Sequence, residues 1–328
     1  MRTQTDTPTE EEELMARAAW LYHVGGLNQE AAAARLGVTR ARVNKLLQDA
    51  RETGLVSINI SPANIGMLAV EDEIARRWGL EFCTCTPALG LEGEGVATGF
   101  ALRAVGMAAA NHLRDHLSRT DAPVVGTGWG RTLDQMTRHL AGVSASQAKF
   151  VSVMGSLTAN SSYNPFEVVH ALARQTGGEG YVLPVPFIAD SVEDRHVLMS
   201  QKTVQKALAI AESATVTYIS LGELKEESLL RRQGMLTAED LATLREAGAV
   251  GDTNGIFYDA EGRAVAHPLN ARTIALGFDS LRRTNVVVLV AGVQKASAAR
   301  AFLQSGVAKG LIVDGDTALR MLQEDGRD

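Results

Sequence analysis

The stretch Pro123-Val-Val-Gly-Thr-Gly-Trp-Gly-Arg-Thr-Leu reads as a strand that enters a glycine loop and continues into a helix. A loop in that position exposes backbone N–H groups beside a positive helix end, which suits a phosphate or another oxygen-rich group. Gly128 and Gly130 keep the backbone accessible, Thr127 and Thr132 add hydroxyls, Arg131 adds a fork of donors, and Trp129 offers a flat apolar face to a sugar ring. The loop is neither a dinucleotide fingerprint, because Arg131 stands where the third glycine belongs, nor a P-loop, because no Gly-Lys-Ser/Thr ending follows. A second loop, Ala291-Gly-Val-Gln-Lys, follows a strongly apolar strand and supplies Gln294 and Lys295, the latter a partner for an anion. Gly251-Asp-Thr-Asn-Gly contributes Asp252 and Asn254, able to bond vicinal hydroxyls, and Gly155-Ser-Leu-Thr-Ala-Asn offers Ser156 and Asn160. Singly these are ordinary turns and solvated side chains. Their shared position after strands makes them one candidate site, since open parallel sheets bind ligands at the carboxyl ends of their strands.

These residues suit binding better than catalysis. Catalysis on such a ligand needs a positioned acid or base, and Asp252 is the sole candidate in the loops, with His170, His196 and His267 scattered without a partner. No catalytic residue is therefore assigned. Cys83 and Cys85 are the only cysteines. One residue apart on a strand, they share a face but are poorly placed for a relaxed disulfide, and no neighbouring His or Cys completes a metal set. Neither metal nor cofactor is expected.

A second kind of chemistry is carried near the N-terminus, where Asn28 to Leu47 meets the steric demands of a helix-turn-helix. Ala33 is small where two helices cross, Gly37 occupies the tight turn, and Val43 and Leu46 pack the second helix on the first. Thr39 caps the recognition helix. Gln29, Thr39, Arg40, Arg42, Asn44 and Lys45 are the candidates for contact with bases or phosphates. From Arg35 to Arg51 there are five basic residues and one acidic residue, Asp49, on a chain of net charge −6. A local cationic element on an acidic protein fits a duplex gripped at one place.

The elements that must position these groups follow from hydrophobic period. Apolar residues recur at helical spacing from Leu14, Gly25-Gly26 stops that helix, and two further helices run to Leu36 and from Thr39 through Glu52. Leu55 to Ile60 alternates as a short strand or wing, and Ser61-Pro62 breaks the pattern, so residues 1–60 are expected to be the DNA-binding domain and 61–328 the effector-binding and oligomerisation domain. Beyond the break, strands are expected at Glu81 to Thr86, Pro123 to Gly126, Lys149 to Met154, Thr215 to Leu221, Asn285 to Ala291 and Gly310 to Val313, separated by helical segments. That alternation predicts an α/β, Rossmann-like domain with a mostly parallel sheet covered on both faces. With 328 residues, 45% of them hydrophobic, the chain can build two cores. No apolar run of membrane-spanning length and no signal peptide is present, so a cytoplasmic protein with no membrane partner is expected.

Taken in order along the chain, the helix-turn-helix with Arg42-Val-Asn-Lys-Leu-Leu, the Gly126-Thr-Gly-Trp-Gly-Arg-Thr loop, Met154-Gly-Ser, Gly251-Asp-x-x-Gly-x-Phe-x-Asp259 and Ala291-Gly-x-x-Lys295 resemble the SorC family of bacterial sugar-binding transcription regulators. The resemblance implies an effector domain similar to glucosamine-6-phosphate deaminase and ribose-phosphate isomerase folds, a homodimer or homotetramer, double-stranded operator DNA as partner, and a sugar, polyol or sugar-phosphate effector; because of that fold likeness, a sugar-phosphate isomerase or deaminase-like enzyme with a DNA-binding head is the alternative reading. It also implies that Gly128 to Thr132 and Lys295 hold the phosphate or terminal-oxygen end, while Asp252 and Phe257 line the sugar. Some members carry a lysine where this chain has Met154, so no covalent imine with an aldehyde effector is expected.

Overall fold

A computed structural model describes residues 9–56, 67–90, 94–156 and 165–323. The chain divides into two compact units, Met1–Ile60 and Ser61–Asp328.

The first unit is a three-helix assembly, α1 (Glu10–His23), α2 (Gln29–Leu36) and α3 (Arg40–Glu52), and its boundaries are set by caps. Thr9 and Glu12 form a reciprocal capping box at the start of α1. Asn28 Oδ1 accepts from the Ala31 N–H at 2.9 Å, and Thr39 Oγ1 from the Arg42 N–H at 3.2 Å. Gly37 ends α2 at φ 69°, the left-handed conformation that a side chain disfavours. The core is small and alanine-rich: Ala19, Ala32 and Ala33 pack with Val43, Leu47 and Ala50. Small side chains at the crossing let the helices approach closely enough to hold α3 rigidly. The strand or wing anticipated at Leu55 to Ile60 lies mostly outside the described residues.

The second unit is built on a parallel sheet of β1 (Phe82–Cys85), β2 (Val124–Thr127), β3 (Lys149–Ser156), β4 (Glu179–Pro186), β5 (Val216–Ser220), β9 (Val286–Val290) and β10 (Ala308–Val313), in spatial order β1-β10-β9-β5-β2-β3-β4. Every residue of β9 is buried. Val286, Val288 and Val290 enter one core while Val287 and Leu289 enter the other, as a strand covered on both faces requires. Helix α4 (Leu68–Trp78) sends Ile74 into the first of these, and α5 (Glu94–Arg119) sends Val105, Ala109 and Leu113 into the second. A small antiparallel sheet, β6 (Gly222–Glu223), β7 (Gly251–Thr253) and β8 (Ile256–Tyr258), is added where β5 ends. Cys83 and Cys85 are buried on one face of β1 as free thiols, their sulfurs 3.9 Å apart in a thiol–thiol hydrogen bond. Among the described residues, no helix is long and apolar enough to cross a membrane.

The order of strands locates a crevice before any side chain is considered. From β2 the chain moves outward through β3 to β4, then returns to the other side of β2 as β5 and continues outward to β9 and β10. The β2/β5 junction is thus the topological switch point, where connections depart in opposite directions and leave a gap at the carboxyl ends of the strands.

Candidate effector and nucleic-acid sites

At that junction β2 runs through Gly128 and Trp129 into α6 (Arg131–Arg138). The close approach needs glycines: a side chain on Gly126 would collide with Thr217 of β5, and one on Gly128 with the Asn254 carboxamide. Gly130, at φ 117°, begins α6 without a side-chain cap, so the first N–H groups of the helix stay open to a ligand. Ser220 Oγ donates to the Trp129 carbonyl at 2.8 Å and locks the two strand ends together.

The cavity between them is lined by Trp129 to Thr132 from the first loop, Ser220 to Glu223 from β5 and β6, Ser228 to Leu230, Asp252 from β7, and Lys295. Lys295 ends a 3₁₀ turn, Val293–Lys295, and is almost wholly buried. Its Nζ donates to the Leu221 carbonyl at 2.6 Å and lies 4.0 Å from Glu223 Oε2. The turn is fixed from the next strand, because Asp314 at the end of β10 accepts from the Gly292 N–H at 2.7 Å. Burial lowers the Lys295 pKa, with Glu223 and Asp252 opposing that effect. Asp252 is also buried, and loss of hydration raises its carboxyl to about 7, against the lowering effects of the Gly255 N–H and Lys295. Arg131 makes no hydrogen bond or ion pair with the described residues. The crevice therefore holds an open cation, a buried cation, a buried carboxylate able to change charge near neutrality, and donors from a helix end.

Linkage gives the first prediction. Between its ordinary value of 3.8 and about 7, Asp252 keeps a proton in the folded state that the unfolded chain has released. Stability therefore falls as pH rises across that window, and the charged carboxylate burdens the fold above it. Asp252→Asn is expected to melt higher than the parent protein above pH 7, by up to about 4 kcal/mol, with the advantage gone near pH 4. Melting curves across this range check it; a constant difference between the two proteins would contradict the assignment.

Not every residue expected at the site faces it. Thr127 is buried at the end of β2 without a hydrogen-bond partner for its hydroxyl, and Gly128 is covered by Asn254. Asn254, with φ 50°, forms the turn of the β7–β8 hairpin with Gly255, and its buried amide points at Gly128 rather than into the cavity. Phe257 is a core residue beside Leu269, and the indole of Trp129 packs toward Phe187 with ring centroids 6.3 Å apart. Trp129 reaches the cavity yet presents little of its ring. Ser156 ends β3 away from the cavity, and Asn160 lies outside the described residues. Gln294 faces a different cleft, of about 720 Å³, at the ends of β1, β9 and β10. That cleft is larger, but its carboxylates are already committed: Asp314 to Gly292 and Thr317, and Asp316 to the N–H groups of Leu89 and Gly90. The convergence of Arg131, Lys295, Asp252 and an uncapped helix start favours the cavity at the switch point. Ser220, Glu223 and Ser228 are members that sequence reasoning missed. The histidines stay away: His170 and His196 are exposed, and His267 caps the Leu269 N–H.

In the first unit, α3 presents Arg40, Asn44 and Lys45 to solvent. Thr39 spends its hydroxyl as the helix cap. Arg42 is half-exposed and ion-paired with Glu11 of α1, so it leans toward the helix bundle instead of standing free on the outer face. Gln29, at the first position of α2, donates to Asn44 at 3.3 Å.

Comparison with known proteins places both units in one context. Residues 63–323 match the family described as "Putative sugar-binding domain". The chain is 34% identical over 312 residues to the erythritol catabolism regulatory protein EryD of Brucella abortus, covering 95% of this chain and 97% of that one. It is 25% identical to the deoxyribonucleoside regulator of Bacillus subtilis over 96% of this chain and 99% of the other. The full-length sorbitol operon regulator SorC of Klebsiella pneumoniae superposes with a TM-score of 0.71 at 21% identity, over 96% of this chain and all of that one (100%).

Proposed function

The chain belongs to the SorC family of sugar-binding transcriptional regulators, and we propose that it controls a polyol catabolic operon by binding a polyol or its phosphate at the β2/β5 switch point. It is a regulator and not an enzyme, with DNA and a small carbohydrate as its partners.

One observation carries the placement of the effector: Arg131, Lys295, Asp252 and the uncapped start of α6 converge on one cavity. The cations and helix end suit a phosphate or terminal oxygen, and the carboxylates of Asp252 and Glu223 suit hydroxyl donors. Erythritol and its phosphate are the first candidates, from the named role of the Brucella relative. The free cavity measures about 40 Å³. That is room for a few waters at roughly 10–15 Å³ each, so a polyol must part the loops to enter. Binding therefore selects a more open arrangement of the first loop and the β6–β8 hairpin, a population shift that can be transmitted to the operator-binding unit. We assign operator contact to α3 and the start of α2, through Gln29, Arg40, Asn44 and Lys45, and to residues 1–60 as the DNA-binding domain. Pairing of chains as a dimer or tetramer would place two recognition helices at half-sites one turn apart or a multiple of it, about 34 Å. Action on operator DNA puts the protein in the cytoplasm.

A melting-shift panel of tetritols, pentitols, hexitols, free sugars and their phosphates tests the effector assignment. A stabilising ligand should bind the parent protein and give a much smaller shift on Lys295→Met and Arg131→Ala at the same concentration. Stabilisation that survives both substitutions would move the effector elsewhere.

A further inference from the structure

The polar side chains on the outer face of α3 are not equally free. Arg42 is tied to Glu11, and Gln48 donates to Glu52 at 2.8 Å. Arg40 and Lys45 make no hydrogen bond or ion pair with the described residues. Asn44 is exposed but oriented: its Oδ1 accepts from Nε2 of Gln29, which the cap at Asn28 holds at the first position of α2.

That bond matters because the two ends of a carboxamide are opposite in hydrogen-bond sense. A free asparagine can turn either end toward a base. In the pair as it stands the Gln29 amino group donates, and the Asn44 carbonyl is turned to it. The carbonyl keeps a second lone pair, and Nδ2 keeps both hydrogens. An acceptor beside a donor is the complement of adenine in the major groove, where N6 donates and N7 accepts. Guanine offers two acceptors, O6 and N7, and would leave the carbonyl facing an oxygen.

We propose that Asn44 reads one adenine in each operator half-site and that Gln29 is the positioning residue that fixes the direction of its amide. The proposal rests on the regulator reading above and adds a base identity to it.

The test is selection from a random duplex library by the full-length chain, with and without erythritol, followed by affinities for each base at each enriched position. One position should prefer adenine by about 5- to 150-fold. Asn44→Ala should flatten that position alone. Gln29→Ala should weaken the preference at the same position, and should change it little further when added to Asn44→Ala. Gln29→Glu can only accept, so it should draw Asn44 Nδ2 inward and shift the preference away from adenine there. All variants should melt with the parent protein, since both side chains lie at the surface. The proposal is overturned if Gln29→Ala lowers affinity for every sequence alike, or if the position sensitive to Asn44 does not select adenine. Failure of the parent chain to enrich any sequence would overturn the regulator reading as well.

Discussion

Changing Lys295 to methionine is expected to weaken effector binding by about tenfold to a hundredfold while leaving the affinity of the ligand-free protein for its operator unchanged. The size follows from what the ammonium would do: a hydrogen bond to a charged donor contributes about 1.5–3 kcal/mol. Methionine retains the length and volume of the stem, so the loss is chemical rather than a cavity. Stability should move little, because two effects oppose. The Leu221 carbonyl loses its donor and Glu223 its nearby cation, but the fold no longer has to bury an ammonium. Asp252 moderates the change further, since a carboxyl already raised to about 7 can take up a proton when its cation goes. Calorimetry with the effector and a gel shift with the operator separate these effects. Equal loss of both activities would show that Lys295 holds the fold, and the division of labour between the units would fail.

How much of this was legible in the sequence depended on whether a signal was local. The caps at Asn28, Gly37 and Thr39 act within a few residues, and the helix-turn-helix forms where they place it. The run Val286 to Val290 fits a strand buried on both faces, which it is. By contrast, β4 was not among the expected strands; it contains Pro184 and Pro186 and lies at the sheet edge, where a missing N–H is tolerated. The β7–β8 hairpin was missed although Asn254-Gly255 is a strong two-residue turn signal. Overlooking it left Asn254 looking like a loop residue free to touch a ligand, while Phe257 was placed at the sugar by resemblance. Once the hairpin forms, Asp252 lines the cavity, while Phe257, paired with it across the hairpin, is buried in the adjoining core. Glu223 and Ser228 could not be found by local pattern at all. They reach the site only because β5 returns beside β2, a fact of strand order that no short window of sequence contains.

The same distinction between a group's type and its surroundings governs the largest effect expected on DNA. Arg40→Ala with Lys45→Ala should lower operator affinity roughly a hundredfold, since each removes a charge-assisted contact of about 1.5 kcal/mol. It should also reduce the slope of log affinity against log salt by about 1.8, near 0.9 for each phosphate no longer neutralised. Both side chains stand on the outer face of α3 without a partner among the described residues, so nothing has to be broken before they meet a phosphate. Arg42 has the same charge and a neighbouring position but must first leave Glu11. Arg42→Ala should therefore cost less than either of the other two, and Glu11→Gln, which releases Arg42, should tighten operator binding and steepen the salt dependence. Titrations of labelled operator at several salt concentrations resolve these slopes. If Arg42→Ala proves the most damaging of the three, the pair with Glu11 opens on DNA and the guanidinium, not Arg40 or Lys45, is the main grip on the duplex.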